Sequence, residues 1–299
     1  MKHDRVFDPC YGQAIELSDG IRRLTARNPG PFTFHGTNTY ILGQDRLIVV
    51  DPGPAQDDHI DAILNAAGDV PVEAILVTHT HADHSPGARL LKAKTGAPVI
   101  GCSEHRAARP LFEEEINPLD ASADRDHKPD RLLNHGDVIS FAGLGIAAVA
   151  TPGHTANHLS FEIKGTDILL SGDHVMAWST SIVAPPDGSM RDYMASLNNL
   201  QELAPNVYLP GHGGVIRDAK PYVADLKEHR QSRERNILAQ IDKGATSIPE
   251  IVAVLYANVD PSLHPAAALS VLAHLEDLAD RNRVVANGIP SLRAEYKIP

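Results

Sequence analysis

Residues 78–87 read Thr-His-Thr-His-Ala-Asp-His-Ser-Pro-Gly, which puts His79, His81, Asp83 and His84 inside six positions. The six residues before them, 72–77, are apolar and partly β-branched, and predict a buried strand. Pro86 stands where a helix begins, and 88–94 predicts that helix. The cluster therefore falls on a strand-to-helix turn at a strand's carboxyl end, where open α/β sheets place their ligands. His79 and His81 are two apart in extended chain, so their rings share a side. Asp83 and His84 follow the turn and can face a second point. Imidazole with carboxylate suits zinc and its neighbours. A histidine-rich surface loop is the bland alternative, and the flanking strand and helix weigh against it.

The same arrangement recurs along the chain. Residues 137–150 predict two strands around Gly143-Leu144-Gly145, leading into Thr151-Pro152-Gly153-His154. A hairpin over 159–163 and 167–170 runs into Ser171-Gly172-Asp173-His174, and a strand at 206–209 into Pro210-Gly211-His212-Gly213. Each place is a strand, then small residues, then a metal-type side chain. Further strands are expected at 21–25, 38–42, 46–50 and 97–101, and helices at 59–67 and 191–203. The strand–helix–strand order argues for an α/β fold. Residues 113–130 and 178–190 read as loops, the second carrying the single Trp. Asp51, in Asp51-Pro52-Gly53-Pro54, reads equally as a turn former and as a group behind a metal ligand.

Weaker candidates surround these. Thr155 and Asn157 are placed to support a ligand. His158, four after His154, would donate to substrate, orient a ligand or serve as a hydrogen-bonded structural histidine. Trp178, Ser179 and Thr180 would line a cleft, with core packing an equal reading for Trp178. His174 points to the opposite strand face from Asp173 and is set aside.

A net charge of −11 argues against affinity built on broad phosphate contact. Sixteen histidines call for a shared purpose, and two cysteines exclude a disulfide framework. The first residues lack an apolar signal core, and no stretch is long and apolar enough to span a membrane. The expectation is a soluble cytoplasmic protein.

The tail has a different texture. A long charged helix is expected at 220–243, a short one at 248–256 with Ser247 and Glu250 as a capping box, and a third at 264–282 with Leu269, Leu272, Leu275 and Leu278 on one face. A small hairpin follows, around Asn287-Gly288. Three helices and a hairpin suggest a winged-helix module. Residues 244–299 carry four positive and six negative side chains, which argues against DNA binding. A packing role or an oligomer contact fits better.

His79-x-His81-x-Asp83-His84, then His154, Asp173 and His212 in that order, resemble the motif set of the metallo-β-lactamase superfamily over about 1–215. The resemblance implies a four-layer αββα sandwich with metals at one edge of the sheets. It further implies a catalytic domain over 1–218, and a linking helix with a winged-helix-like domain over 219–299. Two divalent cations are implied, zinc first, with iron or manganese as alternatives. His79, His81 and His154 would bind one; Asp83, His84 and His212 the other; and Asp173 would bridge both. A hydroxide shared by the cations would be the nucleophile, with Asp83 orienting it and taking its proton. The antibiotic-hydrolysing branch typically lacks the histidine at His84 and has cysteine near Asp173, so β-lactamase activity is not expected. Only 38 residues separate Asp173 from His212, too few for the inserted domain of the mRNA-processing branch. The flavin diiron branch has Glu where His81 stands.

The pattern is most similar to the beta-lactamase-like protein 2 group, in Gly36-Thr37-Asn38-Thr39-Tyr40, in Thr-Pro-Gly-His-Thr, in Leu209-Pro210-Gly211-His212-Gly213 and in the tail. That group includes a single-strand-specific endoribonuclease, and relatives act as thioesterases. The implied function is a binuclear metallo-hydrolase acting on single-stranded RNA or on a small acyl substrate through a (thio)ester, including a hydroxyacylglutathione hydrolase-like activity. A nucleic-acid-binding regulator without catalysis is the reading from another class, and the complete set of seven ligand-type residues weighs against it.

Overall fold

The computed structural model describes residues 2–113, 115–117 and 119–299. Positions 114 and 118 of the expected 113–130 loop lie outside the described residues.

The first half builds one sheet. Strands β1 (Ile15–Ser18), β2 (Ile21–Thr25), β3 (Asn38–Leu42) and β4 (Leu47–Val50) form an antiparallel meander. Helix α1 (Asp57–Ala67) then crosses to β5 (Val72–Val77), and α2 (Gly87–Thr95) to β6 (Val99–Gly101), with β7 (Arg131–Leu132) at the edge; these last steps are parallel. Gly96, left-handed at φ 75°, ends α2. β3 and β4 are buried throughout, as is β5 from Ala74 on, which is why they read as apolar runs.

The second half builds the facing sheet from β8 (Val138–Phe141), β9 (Leu144–Ala150), β10 (Leu159–Ile163), β11 (Ile168–Gly172) and, after helix α3 (Met190–Glu202), β12 (Val207–Pro210). β8 to β11 are antiparallel neighbours; β12 joins β11 in parallel. Ile146, Phe161, Ile163 and Leu170 from this sheet share a core with Leu24, Ile41 and Ile75 from the first, and Ile60, Ile63 and Leu91 of α1 and α2 join it. Behind the second sheet, Tyr193 and Leu197 of α3 pack with Val223 and Leu226 of α4 (Ala219–Asp242). The layers are therefore helix, sheet, sheet, helix.

The far end of α4 supplies Ile237 and Ile241 to a third core, shared with α5 (Ile248–Leu255), α6 (His264–Asp280) and the short pair β13 (Val285–Ala286) and β14 (Tyr296–Lys297). Leu269, Leu272, Leu275 and Leu278 are all buried. Glu250 accepts from the backbone N–H of Ser247 at 3.0 Å, closing the expected cap. Two strands stand outside the sequence expectation: β1, none of whose four residues is buried, and β7, a pair of exposed residues. Inside the 113–130 loop, Asp120–Ser122 forms a single 3₁₀ turn.

His274 of α6 is buried, and among the described residues neither ring nitrogen has a hydrogen-bond partner. Burial, then Arg230 and Arg233, push its pKa down from 6.5 to about 3. The folded chain keeps it neutral, whereas the unfolded chain protonates it below its ordinary value. Stability is therefore lost as pH falls below that value, by about 2 kcal/mol at pH ~5. His274→Leu should remove about 2 kcal/mol of the fall between pH ~7 and ~5, read from urea midpoints. An unchanged pH dependence in the variant would contradict this.

Candidate metal centre

Strand direction gathers the candidate residues at one edge. β4 and β5 are parallel, so Asp51 and the 78–84 turn leave the first sheet on the same side. In the second sheet β9, β11 and β12 all run the same way, so His154, Asp173 and His212 leave together. The two edges are joined by Leu159 N–H donating to Thr78 O at 2.8 Å, and by Asn38 N–H donating to Gly211 O at 2.7 Å.

Two groups of ligand-type atoms result. His79, His81 and His154 form one and Asp83, His84 and His212 the other, each with its donor atoms within 4.8 Å of one another. In the first, His81 Nδ1 lies 3.1 Å from His79 Nε2 and 2.9 Å from His154 Nε2. In the second, His84 Nε2 and His212 Nε2 are 3.3 Å apart, and each is 3.2 Å from Asp83 Oδ2. Asp173 stands between them. Its Oδ2 is 3.2 Å from His212 Nε2 and 3.7 Å from His154 Nε2, and its Oδ1 is 3.4 Å from His84 Nε2.

The outward-facing nitrogens explain why the inner ones are available. His154 Nδ1 donates to Ile182 O at 2.7 Å, His212 Nδ1 to Gly36 O at 3.1 Å and His84 Nδ1 to Asp51 Oδ2 at 3.0 Å. His79 Nδ1 donates to Thr78 Oγ1 at 3.0 Å, and that hydroxyl donates on to Asp51 at 2.7 Å. Four imidazoles are thus held by Nδ1 with Nε2 turned inward, the arrangement that orients metal-binding histidines. Asp173 Oδ1 is buried without a hydrogen-bond partner among the described residues. Convergent imidazole nitrogens with buried carboxylate oxygens are a donor set that fits divalent cations.

Asp51 also lies close to His79 and His84. Its oxygens are occupied by Thr78 N–H at 2.8 Å, Thr78 Oγ1 and His84 Nδ1. These bonds hold His84 directly and His79 by way of Thr78, from a left-handed backbone at Asp51, φ 48°.

The two groups differ in charge. Burial, then His84 and His81, hold His79 neutral, and burial pushes His81 down to about 3. In the second group burial opposes a proton on His212, yet Asp173 and Asp83 override it and raise the pKa to about 9. Burial likewise pushes the Asp83 and Asp173 carboxyls up, but His84 and His212 outweigh it and hold both well below the usual range. This half attracts positive charge, and protons and divalent cations compete for it.

The support residues fall close by. Thr155 Oγ1 donates to Asn157 Oδ1 at 3.0 Å, and Asn157 Nδ2 donates to Thr80 Oγ1 at 2.9 Å, between the first two histidines. His158 Nε2 accepts from Asp173 N–H at 3.1 Å, and its Nδ1 meets Thr151 Oγ1 at 2.8 Å; both nitrogens are spent on structure. Gly172 has to be glycine for this, because a Cβ there would lie 2.6 Å from His158 Nε2. His174 turns away, against Tyr193 of α3 at 4.5 Å. Trp178 is half-buried and stacked on Phe34, centroids 4.8 Å apart, with Ser179 and Thr180 beside it.

Several contributors come from β3 and from Thr37 just before it, and were missed as site residues. Thr37 Oγ1 donates to Asp83 Oδ2 at 3.0 Å. Asn38 Nδ2 donates to Pro210 O and Gly213 O, at 3.0 and 2.9 Å, and Tyr40 Oη to Pro210 O at 2.7 Å, so the His212 turn is held from both sides. Polar residues in an otherwise buried strand were the available signal.

Residues 32–212 match the metallo-beta-lactamase superfamily, and 247–291 the beta-lactamase associated winged helix domain. The chain belongs to the metallo-beta-lactamase superfamily. It is 32% identical to a beta-lactamase-like protein 2 homolog from Caenorhabditis elegans, over 75% of this chain and 71% of that one. It is 30% identical to an atrochrysone carboxyl ACP thioesterase from Aspergillus fumigatus, over 77% of this chain and 67% of that one. A beta-lactamase domain protein from Burkholderia ambifaria shares the fold at TM-score 0.79 and 21% identity, covering 97% and 95% of the two chains. Among the described residues no helix is long and apolar enough to cross a membrane.

Proposed function

We propose that this superfamily member is a binuclear metal-dependent hydrolase of acyl thioesters. His79, His81 and His154 would hold one divalent cation, zinc first among candidates; Asp83, His84 and His212 the other; and Asp173 both. When bound, such cations lower the pKa of water toward about 7 and polarise an acyl oxygen. The rest falls to the chain. Asp83 is the most open of these ligands, its side chain 25% exposed. Its Oδ2 is engaged by Thr37, His84 and His212, which leaves Oδ1 to orient the attacking water and take its proton. The division at 218/219 belongs to the same reading, with the tail as a support for the site.

The observation that carries the acyl substrate is the wall beside the site. Trp178 stacks on Phe34, and it also lies against Gly213, the neighbour of His212, where a Cβ would come within 3.0 Å of the indole. That is an apolar face suited to an acyl chain. The arginines of the loop that meets the site at Ala82, through the Ser122 carbonyl, are already committed. Arg106 donates to Ala156 O at 2.7 Å, Arg109 to Glu115 and Glu276 at 2.6 Å each, and Arg125 pairs with Asp120. Committed guanidiniums make a poor track for a polyphosphate backbone. The thioesterase relative supports the same choice.

The test pairs zinc-loaded wild type with His79→Ala on acyl thioesters, followed by thiol release, and on a single-stranded RNA oligonucleotide. Thiol release that falls at least about 1,000-fold in the variant is expected. RNA cleavage that depends on His79, without thiol release, would overturn the acyl reading.

A further inference from the structure

Residues 174–182 connect two of the ligands assigned above. Asp173 precedes the stretch, and the carbonyl of Ile182 at its far end accepts from His154 Nδ1 at 2.7 Å. The stretch contains neither helix nor strand, so its carbonyls need partners from elsewhere. Those partners come from the helices behind the sheet. Tyr193 Oη of α3 donates to His174 O at 3.0 Å, Tyr222 Oη of α4 to Met176 O at 2.7 Å, and Arg230 of α4 to Ser181 O. Ser181 Oγ then points inward, to the carbonyls of Asp173 and His174.

Arg230 is unusual among these. It is 3% exposed, its guanidinium lies 5.1 Å over the Tyr193 ring, and among the described residues no carboxylate pairs with it. A buried cation without an anionic partner is costly for folding, so stability alone gives a poor account of it. Its donation fixes Ser181. That residue in turn fixes the backbone of Asp173 on one side and, one residue on, the Ile182 carbonyl that sets the His154 tautomer.

We propose that Arg230 is a positioning residue for the metal pair, holding Asp173 and His154 in register from the helix that leads into the tail. The inference rests on the reading of those two residues as ligands. It makes α4 the mechanical link between the winged-helix unit, where Ile237 and Ile241 are anchored, and the catalytic edge.

The test uses the full chain with Arg230→Met, Arg230→Lys and Ser181→Ala. Zinc affinity is measured by competition with a chromophoric chelator, beside the thermal unfolding of each chelator-treated protein. Arg230→Met is expected to weaken zinc binding about 10- to 100-fold, the range for residues that orient ligands. Arg230→Lys, which keeps the charge and a donor, should recover most of it. Ser181→Ala should reproduce the loss with Arg230 in place. The metal-free Arg230→Met protein should unfold no earlier than wild type, since an apolar chain replaces an unpaired buried cation. Wild-type affinity in Arg230→Met or in Ser181→Ala would overturn the proposal, as would a loss of affinity matched in every variant by an equal loss of metal-free stability. A wild type that takes up no zinc would overturn the ligand assignment itself, and this inference with it.

Discussion

Asp173→Ala should abolish hydrolysis, by more than about 1,000-fold in kcat/KM, and leave at most one tightly held cation per chain. The reason is its place between the two groups. Its oxygens approach His84, His212 and His154, at 3.4, 3.2 and 3.7 Å, so one carboxylate serves both halves. Residues that only orient ligands cost about 10- to 100-fold in affinity, and a shared ligand has to exceed that. Two chemical effects add. The second group loses half of the negative charge that raises His212 to about 9, and the inner faces of three histidines lose their common counter-charge. Metal content after dialysis and kcat/KM on a thioester check this together. A variant that keeps two ions would remove Asp173 from the centre of the site.

Gly211→Ala should be nearly as damaging, although it removes no functional group. A Cβ there would sit 2.3 Å from Asp173 Oδ1 and 2.7 Å from His84 Cε1. The backbone has little room to retreat. Gly211 N–H donates to Gly172 O at 2.9 Å, and its carbonyl accepts from Asn38 N–H at 2.7 Å. The displaced atoms are therefore the side chains of Asp173 and His84. Activity should fall about 100-fold, with about 1–3 kcal/mol lost from overpacking. Full activity in Gly211→Ala would mean that the edge is far looser than its hydrogen bonds imply.

The parts of the site that were legible in the sequence are those where a single segment carries both the element and the chemistry. Strands β5, β9, β11 and β12 each end in small residues and then a histidine or aspartate, so their endings announced themselves. The tail's leucine face was legible for a similar reason, since periodicity is a local property. What could not be read was long-range or lay in the backbone. Asn38 reaches Pro210 across 172 positions. Ile182 contributes only a carbonyl, and no side-chain pattern marks that. Asp51 was ambiguous because the same turn sequence serves a surface loop and a buried acceptor; its two hydrogen bonds to Thr78 and one to His84 decide the matter. Arg230 looked like one more charge on a charged helix, and only its burial sets it apart.

The measurement that bears most directly on the central claim is a zinc titration of chelator-stripped protein, followed by calorimetry and elemental analysis of the dialysed product. Two ions per chain are expected for the wild type, with Asp83→Ala and His79→Ala each retaining no more than one. No tight zinc in the wild type, or two ions in both variants, would contradict it.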